Sequence, residues 1–195
     1  MQKVIFIHGA NCSPTIWNYL APKIKAKRDF IHYDTAIPFV KNLELIKQNL
    51  DKFKGSVIVA HSMGGLYAAH IVDAIGQNNI KAVVTISTPF NGSEKANQMA
   101  IFFPEYQMLH DVATTAEPVK HTQDILANIY IPWLQIVSTK GHVPLMSQPN
   151  DGVVTINSQE YIKNIKYLEL EYNHFEILMN EDTALIINDF ISSLG

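Results

Sequence analysis

A mostly parallel β-sheet of about six strands, with helices on both faces, is the architecture that this chain predicts, and three observations carry it. Residues 3–7, 57–59 and 81–86 are short runs of branched and aromatic side chains, too continuously apolar for strands with one wet face. Between them lie segments whose apolar residues recur at three- and four-residue steps, the spacing of helices packed on such a sheet. The length of 195 residues, with no repeat or low-complexity tract, suits one domain spanning 1–195. A chain of that size buries roughly 70% of its unfolded surface.

In chain order, the first strand stops at His8-Gly9-Ala10-Asn11. Ser13 then serves as N-cap of a helix with Pro14 in its first position, where the missing N–H does no harm. Ile16, Trp17, Leu20 and Ile24 give this helix an apolar face, and Pro22 is expected to kink or split it. A weaker strand at 30–33 precedes a helix marked by Leu43, Ile46, Leu50 and Phe53, which ends before Gly55. The strand at 57–59 leads through Ser62 into a helix beginning near Leu66, and the strand at 81–86 runs into Ser87-Thr88-Pro89-Phe90-Asn91-Gly92.

Residues 93–130 break the alternation. Met99, Ile101, Phe102, Phe103, Tyr106, Met108 and Leu109 cluster around Pro104, and a short helix is expected near 125–129. This small helical excursion reads either as packed structure or as a cap or lid that faces a substrate. Order returns with strands at 133–137 and 165–170, separated by a long loop containing Asn150-Asp151-Gly152, and with a closing helix from about 182 to 194.

Composition narrows the function. Charged residues are 17% of the chain against about 25% in an average domain, and the net charge is −3. Neither a nucleic-acid partner nor a polybasic membrane surface is expected. One cysteine, Cys12, excludes an internal disulfide and fits a reducing compartment. No apolar run reaches the length of a membrane span or of a secretion signal, so a soluble, cytoplasmic protein without integral membrane association is expected. No cluster has metal-ligand spacing, and no metal or other cofactor is expected.

The chemistry centres on Ser62. A sharp strand-to-helix turn strains its central residue and admits only small neighbours, here Ala60, Gly64 and Gly65. The pattern G-x-S-x-G describes such a nucleophile elbow, with Ala60 in place of its first glycine. In parallel sheets reactive groups gather beyond the carboxyl ends of strands, and Ser62, Asp151 and His174 each follow a predicted strand. A serine hydroxyl needs an imidazole to take its proton, and the imidazole needs a carboxylate to hold it. The amides of Met63 and Ala10 are the candidate donors to an oxyanion. Rivals remain: His142 for the base, and Asp34, Glu94, Glu105, Asp111 and Asp124 for the acid. His61 is read as packing and His8 as shaping the oxyanion loop, while His32, His70, His110 and His121 lack a paired carboxylate at telling spacing. Cys12 is read as a small buried residue.

Ala60-His61-Ser62-Met63-Gly64-Gly65, His8-Gly9 after the first strand, Asp151-Gly152, and a histidine shortly before the last helix together resemble the α/β-hydrolase fold, and within it the small bacterial lipases and esterases. The stretch from Ser87 to Ser93 is similar to the Thr-Pro loop beside many lipase sites. The resemblance implies a serine hydrolase that cleaves carboxylic esters of short or medium acyl chains through an acyl-enzyme. Its substrate would be a small-molecule ester or lipid, contacted by Gly9, Asn11, Phe90, Phe102 and Phe103. Thioester or amide cleavage and acyl transfer share the same machinery, and a non-catalytic binding protein on this scaffold is the reading from another class.

Overall fold

The computed structural model describes all 195 residues except Met1, His142, Pro144, Leu145 and Ser147. Its centre is a six-stranded sheet: β1 (Lys3–Ile7), β2 (Lys27–Ile31), β3 (Val57–His61), β4 (Ala82–Ile86), β5 (Trp133–Ser138) and β6 (Lys166–Leu170). They lie in the order β2-β1-β3-β4-β5-β6, and every pair is parallel. The helices are α1 (Phe39–Lys47), α2 (Met63–Ile75), α3 (Glu94–Phe102), α4 (Gln107–Asp111), α5 (Glu117–Ala127), α6 (Ile156–Gln159) and α7 (Glu181–Ser192).

The period of two along each strand divides the core into two layers. Ile5 and Ile7 of β1, with Ile58 and Ala60 of β3, pack beneath α1, α2 and α5 through Leu43, Leu66, Val119 and Leu126. Val4, Phe6, Val57 and Val59 face the other way, onto Trp17, Leu20 and Ile187 of α7. Both layers being dry explains why these strands read as unbroken apolar runs. The two edges differ: Lys27, Arg28 and Asp29 on β2, and Lys166 and Glu169 on β6, put charge where an unpaired strand would otherwise recruit another chain.

Several elements depart from expectation. The segment begun by Ser13 is split near Pro22, as expected, but its two pieces are short 3₁₀ turns, Pro14–Trp17 and Ala21–Lys23, rather than longer helices. The helix through Leu43 and Ile46 ends at Lys47, and Leu50 and Phe53 belong to a following 3₁₀ turn. The strand placed at 30–33 lies earlier, at Lys27–Ile31. Residues 93–130 form three helices, and the last, α5, starts eight residues before the expected 125 because Pro118 in its first turn opens it.

Register aligns the carboxyl ends. Ile7 sits beside Ala60, His61 beside Ile86, and Ile86 beside Ile136. The segments that leave β1, β3, β4 and β5 therefore emerge side by side on one rim.

Candidate active site

Ser62 leaves that rim with φ 53° and ψ −128°, a conformation that L-residues avoid and that costs of order 1–3 kcal/mol. The turn is tight because α2 runs directly under the β1 loop. A Cβ on Gly64 would collide with the His8 carbonyl and lie 2.6 Å from that of Ile7, both backbone atoms that cannot yield. Gly9 closes the other side, where a Cβ would lie 2.9 Å from Ser62 Cβ. With the loop drawn this close, the N–H groups of Met63, the first residue of α2, and of Ala10 make no backbone or side-chain hydrogen bond among the described residues.

Three distant side chains meet at this turn. His174 Nε2 lies 3.0 Å from Ser62 Oγ, and His174 Nδ1 lies 2.7 Å from Asp151 Oδ2. With the carboxylate accepting from Nδ1–H, Nε2 is left as acceptor toward the Ser62 hydroxyl. Asp151 and His174 are almost wholly buried, and Ser62 is 9% exposed, enough to be reached. The main chain supports the pair too, because the His174 N–H donates to the Asp151 carbonyl at 3.0 Å.

Asp151 is satisfied on both oxygens. Oδ1 accepts the N–H groups of Val153 and Val154 at 2.9 and 2.7 Å, and Oδ2 accepts Gln159 Nε2 at 3.1 Å and the Ser138 hydroxyl at 2.5 Å, besides His174. Burial pushes this carboxyl up, but the hydrogen bonds from His174, Ser138 and the Val154 amide together outweigh it and hold the group below the usual carboxylate range. Ser138 ends β5 and is itself 2.6 Å from the hydroxyl of Ser87, which follows β4 with φ 53°. Sequence reasoning overlooked Ser138 and Gln159. A signal existed for Ser138, which stands at the carboxyl end of an apolar strand, whereas nothing singles out Gln159.

His61 has more than a packing place. Fully buried, it is driven down to about 3, first by loss of solvation and then by the neighbouring His174. The neutral ring donates Nε2–H to the His174 carbonyl at 2.9 Å and leaves Nδ1 without a partner among the described residues. His8 is buried and pushed down by desolvation; it stacks on Tyr33 with ring centres 4.2 Å apart, while Tyr33 donates to the His8 carbonyl at 2.7 Å. Together these hold the loop of Gly9 and Ala10.

A cavity of about 280 Å³ opens above Ser62. Ala10 and Asn11 form one wall, Met99, Met108, Leu109 and Val112 of the excursion form another, and Val153, Val154 and Phe175 close it. Of the residues expected at a substrate, Asn11 lies here and Gly9 behind it. Phe90 does not: it is fully buried and packs in the core layer beneath α2. Phe102 points into solvent at 75% exposure, and Phe103 lines a second groove of about 240 Å³ that shares Met99, Met108 and Leu109 with the cavity.

The other candidates stand apart. Asp111 is buried and accepts from the Phe39 amide and Gln107, so it ties α4 to the start of α1. Asp34 accepts from the Ala36 amide in its own turn. Among the described residues, neither they nor Glu94, Glu105 or Asp124 bond to Ser62, Asp151 or His174. His121 does have a carboxylate partner, Glu117 at 3.9 Å on the exposed side of α5. His142 lies outside the described residues. Cys12 is half-buried rather than buried, and desolvation pushes its thiol up. Among the described residues no group of three or more histidine, cysteine or carboxylate side chains is arranged to hold a metal, and no helix is long and apolar enough to cross a membrane.

A wholly parallel sheet, helices on both faces and a serine at the strand-to-helix turn above its rim define the α/β-hydrolase fold. The likeness is general among solved structures. The Bacillus licheniformis lipase BlEst2 in mature form superposes with a TM-score of 0.75 at 18% identity, over 99% of this chain and 91% of that one. Phospholipase PlaB from Legionella pneumophila gives 0.73 at 12% identity over 100% of this chain, which spans only 62% of PlaB. A thioesterase domain from the curacin biosynthetic pathway gives 0.64 at 13% identity over 98% and 91%. At such identities the likeness is one of fold. No curated protein matches the sequence. Residues 27–141 match the PGAP1-like alpha/beta domain, more than half of the chain, and the protein belongs to that family.

Proposed function

We propose that this protein is a serine hydrolase that cleaves carboxylic esters through an acyl-enzyme. Ser62 Oγ attacks the carbonyl carbon as His174 Nε2 takes its proton, and Asp151 stabilises the imidazolium. The N–H groups of Met63 and Ala10 hold the oxyanion. Collapse of the tetrahedral intermediate breaks the ester C–O bond, and the proton on His174 goes to the departing alcohol. Water, deprotonated by the same nitrogen, then releases the acid and restores Ser62. The observation that carries this reading is the chain of contacts at 3.0 and 2.7 Å from hydroxyl to imidazole to carboxylate, beside two unengaged amides and under an apolar cavity.

Hydrolysis of p-nitrophenyl octanoate by the wild type and by Ser62→Ala tests the reading. Turnover is expected to fall by at least about 10³-fold in the variant, since the nucleophile and its base act as one unit. Equal turnover in both would overturn it. Thioesters share the mechanism, and kcat/KM for octanoyl oxygen esters against thioesters ranks the two.

A further inference from the structure

Helix α3 lines the cavity with a graded stripe. Lys95 and Met99 both face it, and Phe103, at the helix C-cap, lines the adjoining groove. These positions are four residues apart, so they share one face over about 12 Å of helix rise. One end is apolar: Met99, Met108 and Leu109 are common to cavity and groove, and Phe103 and Tyr106 continue them. Lys95 occupies the other end, one turn from Met99.

Lys95 is the one cation lining the cavity among the described residues, and no carboxylate lines it. Its side chain is half-buried and makes no ion pair or hydrogen bond with them. The preceding Glu94 is exposed and absent from the wall. A lysine ammonium at the wall of an apolar cavity loses solvation when the cavity fills, unless the occupant brings an anion.

Resting on the ester-hydrolase reading, we propose that the preferred substrate is an ester of one medium-length acyl chain with an alcohol that itself carries a compact anion, a carboxylate or a phosphate, received by Lys95. The acyl chain runs along Met99 toward Phe103, about 6 Å of helix rise, and continues over the groove that Phe103 and Tyr106 line. The alcohol is thereby left at the Lys95 end. A lysine suits this task as a compact, mobile point charge that accepts either anion.

The test compares kcat/KM for the octanoyl esters of glycerol, glyceric acid and glycerol 3-phosphate, in the wild type and in Lys95→Glu. One or both anionic esters are expected to exceed the glycerol ester by about tenfold, the worth of one charge-assisted hydrogen bond at a half-exposed site. The ester that gains tells which anion is read. Lys95→Glu should invert the preference, chiefly through KM, and 0.5 M salt should shrink it in the wild type. The same ratios in both proteins, or a wild type that prefers the glycerol ester, would overturn the assignment while leaving the hydrolase intact. If the wild type hydrolyses none of the three, and Ser62 resists a fluorophosphonate, the underlying reading falls with it. Thermal unfolding of Lys95→Glu within a few degrees of the wild type separates lost recognition from lost folding.

Discussion

Ser62, Asp151 and His174 each owe their position to a different kind of force. Backbone strain at φ 53° lifts Ser62 out of the turn, the His61 ring fixes the His174 carbonyl, and buried polar groups hold the Asp151 carboxylate. Asp151→Asn keeps that shape but presents an amide that suits the wrong tautomer of His174, so kcat is expected to fall about 10³- to 10⁴-fold in an ester assay. Ser138→Ala removes one donor to a carboxyl whose native pKa is depressed. Such a group stabilises the fold above its unfolded pKa of about 4 and loses that contribution as the pH falls through its native value. The variant is therefore expected to be about 1 kcal/mol less stable at pH 7, with the gap closing below about pH 4 in urea titrations. Phe90→Ala separates core from site: a cost of about 3 to 5 kcal/mol in stability is expected, with KM for short esters little changed in the folded protein. The serine and its small neighbours were legible in the sequence because a tight turn leaves so few residue types possible. Phe90 was not, since an aromatic residue after a strand end has no local mark to say whether it turns toward solvent, substrate or core.

Helix α3 sets an expected dependence on acyl length, because its stripe from Met99 to Phe103 forms one side of the apolar groove. For a p-nitrophenyl ester series, kcat/KM should rise about fourfold for each buried methylene up to the length of that groove and then level off. Leu109→Trp should move the plateau to shorter chains, and an unchanged profile would show that the acyl chain goes elsewhere. The strands other than β2, and the α7 helix, lie within a residue or two of where the pattern puts them, whereas β2, a charged edge strand, and α2 each begin three residues earlier than expected. The Leu43-to-Phe53 periodicity misled, because the chain turns at Gln48 and reaches Phe53 through a 3₁₀ turn that keeps apolar residues at nearly helical spacing. α5 was placed too late because Val119 and Ile125 lie among polar residues, and Pro118 marks a helix start only when the helix itself is already suspected.

Across the whole molecule, three buried histidines in different places share one direction of shift. Desolvation lowers His8 in the β1 loop, His61 beside the serine, and His70 on α2, where Nε2 meets the Pro118 carbonyl at 3.2 Å. For a base whose native pKa is lowered, the unfolded chain binds more protons below about pH 6.5, so stability is complete above that value and falls as the pH drops from there toward about 3. Urea midpoints are expected to fall between pH 7.5 and pH 5, and His61→Asn should flatten the slope. The topology was foreseeable because strand–helix alternation leaves few right-handed parallel arrangements. The meeting of residues 62, 151 and 174 was foreseeable as a shared rim, whereas Gln159 and Lys95 gained their places only from how α6 and α3 fold back over it.

The most direct measurement is the intact mass of the wild-type protein after treatment with an alkyl fluorophosphonate, followed by peptide mapping. One phosphonyl group per chain is expected, on Ser62, with its loss in His174→Ala. No adduct, or an adduct on another residue, would contradict the Ser62 mechanism.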